Sequence, residues 1–116
     1  MQDILHIEIE GWRSQLRKGS LELAVLVALQ KKPRYGLELV DHLNQLRLGI
    51  GEGSIYPLLA RLKADKKVET EWIEEEVGHA HKYYRLTNKG RAICRLMVTA
   101  WREFDKAVNR LLEEEP

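Results

Sequence analysis

The feature that most constrains the fold of this 116-residue chain is a change of hydrophobic period at Lys67. Before it, apolar residues recur at helical spacing. After it, Val68, Thr70 and Trp72 alternate with Glu69, Glu71 and Ile73, which is the two-residue period of a strand. The run HKYYRL at 81–86 is short and aromatic, with Gly78 between the two runs. Together they predict a two-stranded hairpin with a loop near 75–80. Thr87 then caps a return to the helical period that lasts to about Leu112.

The helical part divides at its punctuation. Ile4, Leu5, Ile7, Ile9, Trp12 and Leu16 predict an amphipathic helix over 3–16, weakest at Gly11. Ser20 is placed to cap the next run, with Glu22 in its first turn and Lys31 and Lys32 in its last. Leu21, Leu23, Ala24, Leu26, Val27 and Ala28 make that helix apolar on most sides, so it forms the centre of the core. Pro33 stops it. Leu37, Leu39, Val40, Leu43 and Leu46 space a further helix, and the glycines of RLGIGEG open a loop after it. A third helix follows, with Ser54 as its N-cap and Pro57 in its first turn. Ile55, Leu58, Leu59 and Leu62 face the core, and Arg61, Lys63 and Lys66 point outward.

This order is that of a winged helix-turn-helix: a mainly α fold with a small β-hairpin. We read 1–116 as a single domain, with an N-terminal helix at 3–16, the winged unit at 18–86 and a dimerisation helix at 88–112. A helix about 10–12 Å across fits the major groove of B-DNA. The hairpin then touches neighbouring phosphates.

Net charge is only +1, so a polyanionic partner has to be argued from local charge. Between Gly51 and Lys67, Arg61, Lys63, Lys66 and Lys67 outnumber Glu52 and Asp65. From His79 to Arg95 stand Lys82, Arg85, Lys89, Arg91 and Arg95 with no acid, while Glu69, Glu71, Glu74, Glu75 and Glu76 keep one side of the wing away from phosphate. Ser54 and Tyr56 at the helix start read either as phosphate and base contacts or as cap and packing. Arg61, Lys63, Lys82 and Arg85 read either as DNA contacts or as a solvated face.

The last helix carries a heptad seam. Ile93, Ala100 and Ala107 recur every seven residues, and Met97, Phe104 and Leu111 do so on the neighbouring row. Its mate is the same helix of a second copy, helped by the N-terminal helix, and Trp101 and Trp12 join the interface. Such a dimer presents two reading helices one DNA turn apart to a pseudo-palindrome.

Other chemistry has little footing. Cys94, the single cysteine, forms no internal disulfide and suits a reducing compartment. It reads as a buried thiol or as an oxidant sensor. His79 and His81 lack a third ligand at a defined spacing, so no metal or other cofactor is assigned. Nucleotide-binding, hydrolase and metalloprotease motifs are missing, which argues against an enzyme. With no membrane span or signal-like start, the chain reads as soluble and cytoplasmic, with no membrane partner.

The runs LRKGSLELAVLVAL, PRYGLEL, GEGSIYPLLARLKADKKVE and HKYYRLTNKGR resemble the PadR family of bacterial transcriptional regulators over roughly 16–92. The single C-terminal helix resembles its compact branch. The resemblance implies a homodimeric repressor. It places Tyr35 and Gly36 at the turn into the second helix, and Ser54, Ile55, Tyr56 and Pro57 at the start of the recognition helix, with Tyr35, Tyr56 and Pro57 toward DNA. Tyr83 and Tyr84 fall in the second wing strand. It also implies a small aromatic effector between subunits, with Trp101 as its platform and Trp12 beside it. The rival reading is a winged helix that binds other proteins and has no DNA site of its own.

Overall fold

A computed structural model describes residues 1–116 as four helices and one antiparallel sheet. The elements are α1 (Gln2–Lys31), β1 (Arg34–Tyr35), α2 (Gly36–Gln45), α3 (Glu52–Ala64), β2 (Val68–Glu76), β3 (His79–Leu86) and α4 (Asn88–Glu113). Sheet order is β1-β3-β2. Val25, Leu26 and Leu29 of α1 meet Leu39 and Leu43 of α2, and Ile55, Leu59 and Leu62 of α3, in one core. Val68, Leu86 and Cys94 close it from the sheet and α4.

The two helices expected before Pro33 are one. Gly11 and Gly19 lie inside α1, and the Ser20 hydroxyl donates to the Leu16 carbonyl at 2.8 Å instead of capping a new start. Each glycine costs about 1 kcal/mol in a helix. Ending and restarting the helix would cost more, because it strips several N–H groups of partners and requires a second nucleus. At the other end, buried Arg34 donates from Nε to the Ala28 carbonyl at 3.1 Å, satisfying one of the last free acceptors of α1.

The start of α3 also differs from expectation. Gly51, in extended conformation, is the N-cap, and its carbonyl accepts from Ser54 N at 3.1 Å and Ile55 N at 3.2 Å. Asn44 Oδ1 accepts from Ile50 N at 2.9 Å and holds the incoming loop, so the helix begins at Glu52 with Ser54 in its first turn. Pro57 therefore sits in the second turn, where it leaves the Gly53 carbonyl without its helical donor. The hairpin is tighter than expected: both strands run to a two-residue turn at Val77 and Gly78, with Gly78 at φ +83°. β1 adds a third strand through Arg34 opposite Tyr84 and Tyr35 opposite Tyr83.

A compact chain of this length has a radius of gyration of about 13 Å, whereas this one has 17.1 Å and a long axis of 61 Å. The excess comes from two arms, the first half of α1 and the second half of α4, whose apolar residues remain exposed. No helix is long and apolar enough to cross a membrane.

Candidate nucleic-acid interface

The outer face of α3 is bare of protein. Ser54, Tyr56, Pro57, Ala60, Arg61 and Lys63 are exposed along it, while Ile55, Leu58, Leu59 and Leu62 hold the helix to the core. On one flank lies α1, with Lys18 and Glu22 bordering a hollow shared with Ser54, Pro57 and Arg61. On the other lies the wing, where Lys82 and Tyr84 border a second hollow shared with Tyr56, Ala60 and Lys63.

The cations on this face are not equivalent. Glu22 accepts from Arg61 Nη2 at 3.0 Å and lies 3.7 Å from Lys67 Nζ, so one carboxylate already serves two positive charges. Lys63 takes part in none of the ion pairs. Tyr56 packs against Gly36, where a Cβ would stand 2.5 Å from the ring, so the glycine of PRYGLEL makes room for the tyrosine of GSIYP. Burial, then Glu52 and Tyr84, push the Tyr56 hydroxyl above the ordinary phenol range.

Strand register sorts the charges of the wing. Val68 faces Leu86, Thr70 faces Tyr84 and Trp72 faces Lys82, which puts these pairs on the side of α3. Glu69 with Arg85, Glu71 with Tyr83 and Ile73 with His81 lie on the far side. There Glu71 pairs with Arg85, and Glu75 accepts from the Tyr83 hydroxyl and sits 3.5 Å from His81 Nδ1. Tyr35 stacks on His81 at 4.1 Å and meets Tyr83 edge-on. Of the residues singled out for DNA contact, the structure brings Ser54, Tyr56, Pro57, Arg61, Lys63 and Lys82 to one face. It places Tyr35 and Arg85 on the opposite side of the sheet. Trp72, directly across from Lys82, is 68% exposed.

A second feature lies between the arms. α1 and α4 diverge around two hollows of about 390 and 450 Å³ that share Leu16, Ser20, Leu23 and Trp101. Arg13, Arg17 and Arg47 line the first; Met97, Ala100 and Phe104 line the second. Ile93 and Met97 pack partly on the core, whereas Ala100, Trp101, Phe104, Leu111 and Trp12 are exposed. Cys94 is fully buried, and burial raises its thiol above the ordinary range against the opposing pull of Arg95 and Lys31. No three His, Cys, Asp or Glu side chains gather closely enough to hold a metal ion.

The base of α4 is tied to the end of α3. Thr87 N donates to the Lys67 carbonyl at 3.0 Å, the Thr87 hydroxyl donates to the Lys66 carbonyl at 2.6 Å, and Lys89 Nζ reaches the Asp65 carbonyl at 2.9 Å. Thr87 Oγ1 also accepts from Gly90 N at 3.0 Å, completing the cap of α4. Sequence reasoning named the Thr87 cap but missed its bonds to Lys66 and Lys67, and it missed the double pairing of Glu22 and the exposure of Trp72.

Residues 25–95 match the model of the Transcriptional regulator PadR-like family. The chain is 35% identical to a PadR-like transcriptional regulator of Bacillus cereus whose crystal structure superposes with a TM-score of 0.81 over 87% of this chain and 99% of that one. A PadR family transcriptional regulator of Eggerthella lenta is 31% identical, with a TM-score of 0.79 over 98% and 96%. An uncharacterized protein of Lysinibacillus sphaericus is 27% identical over 104 residues, 87% of this chain and 95% of its own length.

Proposed function

The chain belongs to the PadR-like family of transcriptional regulators, which act by binding DNA, and on that premise we propose that it is a homodimeric repressor of a pseudo-palindromic operator. The observation that carries this reading is the outer face of α3, uncovered and flanked by Lys18, Lys63 and Lys82, with the acids of β2 largely turned to the other side of the wing. In this reading Ser54, Tyr56, Pro57, Arg61 and Lys63 enter the major groove and Lys82 meets the adjacent backbone.

Dimerisation supplies the second half-site. Phe104 is 65% exposed and Leu111 65%, on one seam with Ala100 and Ala107, and Trp12 is 57% exposed on the facing arm. A lone chain would leave this surface to water at a cost of about 25 cal/mol per Å². Pairing the arms with those of a second copy removes it, and puts Trp101 and Trp12 at the interface. The hollows beside Trp101 then receive a small aromatic effector. The effector acts by changing the splay of α1 and α4, and the Thr87 joint carries that change to α3.

The test is a mobility shift on the DNA upstream of the protein's own gene, titrated with salt against a scrambled duplex. Specific retention of two protomers per site is the expected result. Lys63→Ala should lower the salt slope by about 0.9, the value of one phosphate contact. A dimer that holds no duplex at low salt refutes the DNA reading and favours a protein partner. Quenching of tryptophan fluorescence by planar aromatics, with release of bound DNA, is the expected sign of the effector.

A further inference from the structure

We infer that Trp72 is a backbone-gripping residue of the wing, its indole lying against the deoxyribose-phosphate strand just outside the half-site read by α3. This rests on the DNA-binding reading above and adds a residue to it. Trp72 lies directly across from Lys82 on the face that continues through Tyr84 to Tyr56 and Lys63 of α3. Trp72 is 68% exposed in a hairpin whose inner residues Val68, Tyr84 and Leu86 are buried, so most of its surface is left to solvent by the chain itself. Lys82 sits between the indole and α3, with Nζ 5.6 Å from the centre of the Tyr84 ring.

The chemistry of the face selects the occupant. Glu69, Glu71 and Glu75 stand on the opposite face, two of them engaged with Arg85, His81 and Tyr83. Glu74, on the near face, turns its carboxylate to the Gly78 amide at the wing tip, 3.3 Å away. The near face thus offers a flat apolar ring with one N–H donor, beside a lysine and continuous with the face of α3. Sugar carbons suit the ring, phosphate oxygens suit the indole N–H and Lys82, and a duplex seated on α3 supplies both next to the wing. Such a contact carries no base information. It raises affinity for cognate and non-cognate duplex alike.

The experiment uses the full-length protein and a duplex selected by it in vitro. Trp72→Ala should weaken binding about tenfold on both the selected duplex and one with scrambled half-sites, without altering the salt slope, because no charge is lost. Lys82→Ala should lower the slope by about 0.9. Trp72→Phe, which keeps a ring but not the N–H, should recover part of the affinity. Hydroxyl-radical protection should shrink at the outer edge of each half-site in Trp72→Ala and persist at its centre. In unsubstituted protein carrying fluorotryptophan, the Trp72 resonance, assigned by its loss in Trp72→Phe, should shift on adding duplex. Should the wild type bind while Trp72→Ala stays within twofold of it and the resonance does not move, this inference fails and the DNA reading stands. Should the wild type select no duplex at all, both fall together.

Discussion

Replacing Gly90 with alanine tests the joint between α4 and the end of α3. An ideal Cβ at Gly90 would stand 2.0 Å from the Lys67 carbonyl oxygen and 3.0 Å from its carbonyl carbon. Both are backbone atoms, so no side chain can swing aside. The first turn of α4 has to withdraw by more than an ångström, which strains the Thr87 bonds to Lys67 at 3.0 Å and Lys66 at 2.6 Å. Overpacking of this kind costs about 1–3 kcal/mol and each hydrogen bond lost about 1 kcal/mol, while alanine returns about 1 kcal/mol of helix propensity. The net expectation is a loss of about 2–4 kcal/mol. In urea, with a slope near 1.5 kcal/mol per molar, the midpoint should fall by about 1–3 M. Protomer concentration has to be fixed, because the proposed dimerisation would shift apparent stability. Gly11→Ala is the control: a Cβ there meets nothing within 4 Å, so the same substitution should raise stability by up to about 1 kcal/mol. A Gly90→Ala midpoint equal to or above that of the parent would refute the close approach, and with it the rigid link from α4 to α3.

Glu22→Gln releases Arg61 and Lys67 from their shared carboxylate, and affinity for duplex DNA at about 0.1 M salt should rise severalfold, up to about tenfold; unchanged affinity in a salt titration would show that neither cation faces DNA. Phe104→Glu puts a charge in the proposed seam, and light scattering should move from twice 13.5 kDa toward a single chain, whereas an unchanged mass would remove α4 from the interface. Cys94 holds its proton in the fold at pH values where the unfolded chain, with an ordinary thiol near 8.5, releases it. The native state then binds more protons than the unfolded one, so stability should fall as pH rises through that value. Cys94→Ala should remove this slope, and disulfide reagents should label the native thiol only as fast as the protein opens.

Most of the architecture was legible because it rests on period and punctuation. Leu39, Val40 and Leu43, then Ile55, Leu58, Leu59 and Leu62, recur at helical spacing and are buried as that spacing requires. Thr87 caps α4 through Gly90 N as its position suggested. Four things were not legible, each for a physical reason. The break expected at Gly19-Ser20 fails because a glycine that meets nothing is only a small penalty in a helix anchored by Val25, Leu26 and Leu29. Ser54 loses the cap to Gly51 because a loop tied by Asn44 delivers an extended residue three positions earlier. β1 is two residues long, below the length at which a strand shows a period, yet it brings Tyr35 to His81 and Tyr83 on the far face of the wing. Alternation sorts β2 into two sets, but which set meets α3 is decided by the buried pair Val68 and Leu86, a long-range contact.

That sorting explains how a chain of net charge +1 suits a polyanion. A sum over the whole chain treats Glu69 and Lys82 as neighbours, although register puts them on opposite faces of the sheet. Side-chain ends across a sheet are separated by roughly 10 Å, about one screening length at 0.1 M salt, so the far acids act on a ligand at the near face only weakly. Pairing of Glu71 with Arg85, and of Glu75 with His81 when that ring is protonated, weakens them further. Two substitutions of identical formal charge separate this account from one based on net charge. Thr70→Glu adds an acid on the near face, opposite Tyr84, and Ile73→Glu adds one on the far face, opposite His81. Net charge predicts equal loss of DNA affinity from both. Segregation by face predicts a loss of about tenfold or more for Thr70→Glu, since a like charge is set beside phosphate, and a change within about twofold for Ile73→Glu. Equal losses, measured on one duplex at one salt concentration with both variants folded by circular dichroism, would show that the wing acts through its total charge and that its two faces do not divide the work.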